Sequence, residues 1–311
     1  MRRWLAATLI PLFCVSSAAA NIASAAGITV KDDYGNDIHL ERPARRIVSL
    51  SPHTTELLYA AGAGPYVVGV SHYSNYPPQA LQVASVGRIS AVDIEKILTL
   101  KPDLIVAWHS GNAAAQLQKL RSFGLPVFES QPADYATIAT SLERLAALSG
   151  TENIGNKAAA DFRARWQALT RTYRDRQVVS VFYQIWGQPL MTLNGQHMVS
   201  AVLRTCGGSN IFADLPQLAP HVSLEAVIAA DPDAILAPDD AKDHPLDDWR
   251  RFGKMKAVSA NTLFTVNADW LNRPGPRILD ATAQVCEFLD QVRTKRSKTS
   301  PPLPQPAKPA K

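Results

Sequence analysis

The sequence lacks the motifs of the common nucleotide-binding proteins and serine hydrolases. It has no Gly-x-x-x-x-Gly-Lys-Ser/Thr phosphate loop, no Gly-x-Gly-x-x-Gly following a strand, and no Gly-x-Ser-x-Gly elbow. Ser71 and His72 are adjacent in the chain, whereas the partners of a catalytic triad converge from separate loops. We therefore predict a protein that is not an enzyme and carries no cofactor.

Long apolar runs are confined to the N-terminus. Residues 1–26 combine two arginines, an apolar stretch and a small-residue end, and this pattern predicts a cleaved secretory signal peptide. Cys14 stands where a lipoprotein cysteine would, but bulky residues precede it, so we favour a soluble exported protein and keep lipid anchoring as the alternative. No later segment holds about 18 consecutive apolar residues, which argues against a membrane span.

Positive charge is concentrated at the two ends. The formal net charge is +5, but Arg2 and Arg3 belong to the predicted signal peptide, and residues 294–311 carry five cations and no acid. Residues 27–293 are therefore slightly acidic, which argues against nucleic-acid binding, because phosphate contacts need clustered Lys and Arg. The Pro- and Lys-rich composition of residues 294–311 predicts a disordered tail.

Cysteine is scarce. The chain has three, and removal of the signal peptide would leave only Cys206 and Cys286. An even pair in an exported protein indicates one disulfide, with two buried free thiols as the alternative.

What the sequence does contain is an internal repeat. Residues 92–107 read VDIEKILTLKPDLIVA and residues 222–237 read VSLEAVIAADPDAILA. Each copy predicts a capped helix, a proline stop and an apolar strand, with an acid, Glu95 or Glu225, in the first helical turn. A first-turn glutamate is explained by helix capping alone, but its duplication at matched positions favours a shared function.

Short apolar strands alternate with helices on both sides of the repeat, which predicts an α/β fold with parallel sheets. We predict an N-terminal lobe over residues 27–133, a helical connector over 134–176 and a C-terminal lobe over 177–293. The long helix of the connector joins the two α/β lobes.

Aromatic and polar side chains follow several of the predicted strands. Tyr73, Trp108 and Trp186 each follow one strand, and Asp269, Trp270, Asn272 and Arg273 follow the last one. In doubly wound sheets these strand ends face the ligand crevice, so we expect a cleft between the lobes that binds a large, partly apolar ligand.

Histidines 72, 109, 197 and 221 leave open direct coordination of a transition metal with help from Asp269. None of them has a diagnostic ligand spacing, and a lone histidine is more often a hydrogen-bonding residue. We therefore keep metal binding as an alternative and assign no metal ligands.

Five segments together resemble the periplasmic cobalamin-binding proteins of vitamin ABC importers. They are RIVSLSPHTTE (46–56), GVSHYSNYPP (69–78), LKPDLIVAW (100–108), CGGSNIF (206–212) and DWLNR (269–273). The resemblance covers residues 46–292, and it is specific because the segments occur with the family's joint spacing.

The resemblance implies two Rossmann-like lobes joined by one rigid helix, in a periplasmic binding protein that changes shape little on binding a corrinoid and delivers it to a membrane permease. We expect this protein to be a monomer. It implies that Tyr73, Trp108 and the segment 269–273 line the corrinoid site, that Glu95 and Glu225 dock onto permease arginines, and that the two cysteines form the family's disulfide.

Two positions depart from the family pattern. Ile89 and Ala219 stand where the cobalamin binders carry tryptophans, so the ligand is left open among cobalamin, another corrinoid, a haem and an iron siderophore. Trp186 and Trp270 are candidates to compensate for the missing indoles.

Overall fold

The computed structural model describes residues 27–239 and 244–299. The predicted signal peptide and the part of the predicted tail that follows Thr299 lie outside the described residues.

The described chain alternates strands and helices. The strands are β1 (Ile28–Lys31), β2 (Asp37–Leu40), β3 (Ile47–Ser49), β4 (Val67–Val70), β5 (Ala84–Ser85), β6 (Gly87–Arg88), β7 (Ala91–Val92), β8 (Leu104–Trp108), β9 (Val127–Ser130), β10 (Val179–Tyr183), β11 (Gly208–Asn210), β12 (Ala234–Pro238) and β13 (Leu263–Val266). The helices are α1 (Pro52–Ala60), α2 (Ile94–Thr99), α3 (Ala114–Ser122), α4 (Tyr135–Ser149), α5 (Glu152–Tyr173), α6 (Met198–Thr205), α7 (Leu224–Ala230), α8 (Lys256–Ser259), α9 (Ala268–Leu271) and α10 (Ile278–Thr299).

Two parallel sheets form the centres of two lobes. The N-terminal sheet has the strand order β5-β4-β3-β8-β9 and the C-terminal sheet has the order β11-β10-β12-β13, with every pairing parallel. The predicted α/β class with two Rossmann-like lobes is confirmed. An antiparallel pair of strands, β1–β2, forms a separate two-stranded sheet at the start of the described residues.

The internal repeat occupies equivalent places in the two lobes. Helix α2 leads into β8, which pairs with β3, and helix α7 leads into β12, which pairs with β10. Asp93 accepts a hydrogen bond from the Lys96 amide, and Ser223 accepts one from the Ala226 amide, so both helices begin with side-chain N-caps. The two copies therefore place Glu95 and Glu225 at matched positions.

The apolar core is continuous between the lobes. Successive strand residues point to opposite faces of a sheet, so Ile47 and Val181 enter one cluster that spans both lobes. Val48 and Phe182, one residue further along, enter separate clusters on the opposite faces of their own sheets. The lobes are thus joined by shared apolar packing as well as by the chain.

Helices α4 and α5 connect the lobes through a turn at Gly150. This glycine has φ 63°, a left-handed conformation that costs glycine little and that ends α4. The 22-residue helix α5 then runs to the C-terminal lobe. At about 1.5 Å per residue it spans roughly 33 Å, enough to run along a whole lobe.

Two further sequence predictions meet different outcomes. Cys206, the C-cap of α6, is bonded to Cys286 on α10, which confirms the predicted disulfide. Helix α10 continues to Thr299, however, so the prediction that the disordered tail begins at residue 294 is wrong. The extra turns are held to the C-terminal lobe because Lys295 donates to the Asn261 carbonyl and Arg296 donates to the Val178 carbonyl.

Candidate functional site

The predicted site residues lie at the carboxyl ends of four strands. Tyr73 follows β4, Trp108 is the last residue of β8, and Trp186 follows β10. The segment from Asp269 to Arg273 follows β13 and contains most of α9. Because all strands within each sheet are parallel, these ends lie at one edge of each sheet, where ligands of such folds bind.

Tyr73 is the most exposed of these aromatic side chains. It is 76% exposed, although apolar rings usually bury most of their surface. Its φ is 65°, a left-handed conformation that is unfavourable for a tyrosine. The loop after β4 thus holds an aromatic ring in solvent at the cost of backbone strain, an arrangement that suits a ligand-contacting side chain.

Trp108 is half-buried and is held through its loop. The Asn112 side chain accepts a hydrogen bond from the Trp108 amide at 2.7 Å and donates to the Ile89 carbonyl at 2.7 Å. The indole ring meets the ring of His53 edge-on, with centroids 5.6 Å apart. The Trp108 Nε1 and His53 Nε2 atoms are both buried, and neither has a hydrogen-bond partner in the described parts of the chain.

Trp186 lies on the rim of a cavity of about 700 Å³ in the C-terminal lobe. It is 60% exposed, and its Nε1 donates to the Gln188 carbonyl of the same loop. Gln184, at the carboxyl end of β10, accepts a hydrogen bond from Trp249 Nε1 at 2.7 Å and lines the same cavity. The C-terminal lobe therefore offers an aromatic recess at the carboxyl end of β10.

The residues of segment 269–273 have different environments. Asp269 forms an ion pair with Arg273 at 2.6 Å, and Asn272 accepts a hydrogen bond from the buried Tyr183 hydroxyl at 2.8 Å. Trp270 is half-buried and packs against the shared core, so its indole is only in part available to a ligand. Among these residues, Arg273 is the one that reaches the opposite lobe.

Arg273 and Arg277 cross from the C-terminal lobe to the N-terminal lobe. Arg273 Nη1 donates to Asn75 Oδ1 at 2.6 Å and lies 3.6 Å from Glu56 Oε1. Arg277 donates to both carboxylate oxygens of Glu56, at 2.9 and 2.5 Å, and its guanidinium stacks on the Tyr76 ring. The sequence patterns predict no role for Glu56, Asn75 or Arg277. The one feature that could have pointed to this contact is the single acid, Glu56, in α1.

Two of the candidate metal-binding histidines have other partners. His109 contacts the buried Glu129 carboxylate, which also binds Arg121, and stacks on Tyr34. His197 accepts the Val199 amide as the N-cap of α6, and burial lowers its pKa to about 4. Residues 27–239 and 244–299 hold no group of three or more His, Cys, Asp or Glu side chains placed to bind a metal ion.

Glu95 and Glu225 are both exposed, in the first turns of α2 and α7. Of the two positions that depart from the family pattern, Ile89 is half-buried beside the Trp108 loop and Ala219 is exposed. Both departures thus fall where added aromatic side chains would be partly accessible.

The sequence matches a family described as periplasmic binding protein over residues 47–269. It is 45% identical over 249 residues to the vitamin B12-binding protein of Vibrio cholerae serotype O1, an alignment that covers 79% of this chain and 90% of that protein. It is 40% identical over 256 residues to the vitamin B12-binding protein of Vibrio campbellii, covering 82% of this chain and 92% of that protein.

The fold is similar to that of the crystal structure of the periplasmic vitamin B12-binding protein BtuF of Vibrio cholerae. The TM-score is 0.75 at 45% identity, with 81% of this chain and 98% of the other covered. The periplasmic haem-binding protein RhuT of Roseiflexus sp. RS-1 gives a TM-score of 0.70 at 24% identity, covering 80% of this chain and 99% of the other. The haem binder shares the fold, whereas BtuF also shares much of the sequence.

Proposed function

The chain belongs to the periplasmic binding protein family, and from that premise we propose that it captures cobalamin or another corrinoid and delivers it to the permease of an ABC importer. The observation that carries the proposal is the 45% identity to a vitamin B12-binding protein over nine-tenths of that protein's length. The exported, periplasmic location and the permease partner are part of the same proposal.

The proposed binding mode uses the carboxyl ends of both sheets. A corrinoid is a large ring system with an apolar face and polar amide edges, so it needs flat aromatic walls and a few hydrogen-bonding groups. Tyr73 and Trp108 supply aromatic surface from the N-terminal lobe, and Trp186 supplies it from the C-terminal lobe. Arg273 is placed between the lobes, where its guanidinium suits a side-chain amide or phosphate of the ligand.

Transporter docking is assigned to Glu95 and Glu225. Their matched positions in two similar lobes suit a permease with two similar halves, each of which offers one cation. Exposed acids of this kind contribute to orientation and association rate, and they gain more binding energy when an arginine partner desolvates them. The binding protein acts as a monomer in this scheme.

A second candidate ligand is another large chelate, a haem or a ferric siderophore. It is favoured by Ile89 and Ala219, which leave two rim positions without the indoles of the cobalamin binders. The cavity of about 700 Å³ beside Trp186 adds room for a ligand of different shape. His109 contacts Glu129 and His197 caps α6, so the contacts of these two histidines do not support a free metal ion as the ligand.

The proposal is tested by gel filtration of the purified mature chain with cyanocobalamin, in the presence of a metal chelator. We expect the corrinoid absorbance to elute with the protein, because a corrinoid carries its own metal and needs no free cation. Trp108→Ala and Trp186→Ala should each weaken retention, whereas Trp166→Phe, a change on the connecting helix α5 where Trp166 stacks on Tyr135, should weaken it less. Retention of haem or a ferric siderophore but not of cyanocobalamin would refute corrinoid binding and support the second candidate ligand.

A further inference from the structure

Glu56 is a buried carboxylate at the junction of the lobes. It lies on α1, whose residues from Pro52 to Leu58 are all buried, and its side chain is only 2% exposed. A buried carboxylate is stable only when it is paired and hydrogen-bonded, and both of its partners, Arg273 and Arg277, come from the C-terminal lobe. Gly275, between these arginines, sits directly on α1, so the contact is close.

The same two arginines hold the loop that carries Tyr73. Arg273 donates to Asn75, and Arg277 stacks on Tyr76 at 4.0 Å from the ring centroid. Asn75 and Tyr76 follow Tyr73 by two and three residues, and Tyr73 itself is highly exposed and backbone-strained. Two side chains from the opposite lobe thus contact the loop residues that follow Tyr73.

The Arg273 guanidinium contacts two carboxylates, Glu56 and Asp269, that differ in exposure. Its Nη1 lies 3.6 Å from Glu56 and donates to Asn75, and its Nη2 forms an ion pair with Asp269. The Asp269 side chain is 43% exposed, so water competes with Arg273 for its carboxylate. The Glu56 side chain is only 2% exposed, so its carboxylate is shielded from water. Glu56 is thus the buried anion beside the Arg273 guanidinium. Both oxygens of the Glu56 carboxylate also accept hydrogen bonds from Arg277.

Resting on the proposed function, we propose that Glu56 is a positioning residue for ligand binding. It fixes Arg273 and Arg277 across the lobes, and through them it holds the Tyr73 loop in the binding-ready position. Glu56 does not touch the ligand in this scheme. Its effect on affinity passes through Arg273 and the loop after β4.

The first test needs no ligand. In Glu56→Gln the two arginines lose their anion, and we expect amide hydrogen exchange at Ser74 and Asn75 to rise about ten-fold, with little change in strands β3 and β10. Glu143→Gln is the matched control, because Glu143 also accepts two hydrogen bonds from one arginine, Arg163, but far from the Tyr73 loop. Unchanged exchange at Ser74 and Asn75 would overturn the proposal.

The second test is a double-mutant cycle on cyanocobalamin affinity. Glu56→Gln should weaken binding by about ten-fold in the wild-type background and by less than about two-fold in an Arg273→Gln background. Equal losses in both backgrounds would show that Glu56 acts independently of Arg273 and would overturn the inference. If Glu56→Gln does not fold, Glu56→Asp replaces it in the same cycle, because the shorter side chain keeps the charge but withdraws the carboxylate from both arginines, and the same pattern is expected.

Failure of the proposed function gives a different result. In that case the wild type would not bind cyanocobalamin at all, while the hydrogen-exchange difference between Glu56→Gln and Glu143→Gln would remain. The positioning role of Glu56 is therefore decided by exchange in the free protein, whatever the ligand is.

Discussion

The hydroxyl of Tyr135 on α4 lies 2.7 Å from the hydroxyl of Thr282 on α10. Tyr135 is buried, and α4 packs on the N-terminal lobe while α10 packs on the C-terminal lobe. A further polar contact ties the connecting helix α5 to α10, where Arg165 binds Asp280. With the shared core, these contacts favour one cooperative folding unit whose lobes move little relative to each other.

Replacing Tyr135 with Phe should reduce the free energy of unfolding by about 1 kcal/mol. The loss of stability stays small because the Thr282 hydroxyl still donates its hydrogen bond to the Ile278 carbonyl. Urea denaturation measures the change, with Tyr34→Phe as the exposed-tyrosine control. A Tyr135→Phe variant as stable as the wild type would show that the contact between the lobes contributes nothing.

His197→Asn should reduce the loss of stability on acidification. Burial lowers the pKa of His197 from 6.5 to about 4, so below pH 6.5 the unfolded chain binds a proton that the native protein does not. The stabilising free energy that neutral His197 contributes is fully present above pH 6.5, its pKa in the unfolded chain. It is lost as the pH falls toward about 4, its pKa in the folded protein. His53, whose pKa burial lowers to about 3, acts in the same direction and is unchanged in this variant.

Asparagine at position 197 keeps an N-cap acceptor for the Val199 amide, so the helix start is preserved. Between about pH 7.5 and about pH 5.5 the variant should lose roughly 1 kcal/mol less stability than the wild type, measured by urea denaturation at each pH. Identical losses in the two proteins would show that His197 takes up a proton in the native state.

Removing the disulfide should reduce stability without changing the site. The bond links residues 80 apart, and the chain-entropy model gives a loss of about 4 to 5 kcal/mol as an upper value. Cys206 lies just before β11, at the edge of the sheet opposite the proposed cleft, so ligand affinity should be retained. The Cys206→Ser/Cys286→Ser double variant is measured by urea denaturation and by ligand titration; a large loss of affinity in folded protein would contradict this separation.

Charge reversal of both Glu95 and Glu225 to Lys should abolish transport and leave ligand affinity unchanged. Both side chains are exposed, so the fold tolerates the change, while lysines at these positions would repel the cationic permease groups proposed to bind the two glutamates. The measurement is ligand uptake by cells or proteoliposomes that contain the permease. Glu152→Lys is the matched control, since Glu152 is also an exposed first-turn glutamate; normal uptake by the Glu95/Glu225 double variant would refute the docking role.

Much of the fold follows from sequence because its signals are local. The repeat around Glu95 and Glu225, the caps at Asp93 and Ser223 and the alternation of strands and helices depend on neighbouring residues. The end of α10 was predicted too early because Lys295 and Arg296 look like tail residues, whereas they are bonded to the Asn261 and Val178 carbonyls.

The junction of the lobes could not be predicted in the same way. Glu56 and Arg277 are 221 residues apart, and no periodicity relates an acid on α1 to the residue that precedes α10. Trp270 lies in one of the predicted loops, but its ring packs in part against the core, a contact that the local pattern does not reveal. Local patterns therefore indicate which loops form the candidate site, while the partner of each polar side chain depends on tertiary packing.

The most direct test of the proposed function is calorimetric titration of the mature protein with cyanocobalamin, cobinamide, haem and a ferric siderophore under identical conditions. We predict saturable one-to-one binding of a corrinoid that persists when a divalent-metal chelator is added. Saturable binding of haem or the siderophore, with no heat from either corrinoid, would contradict the account.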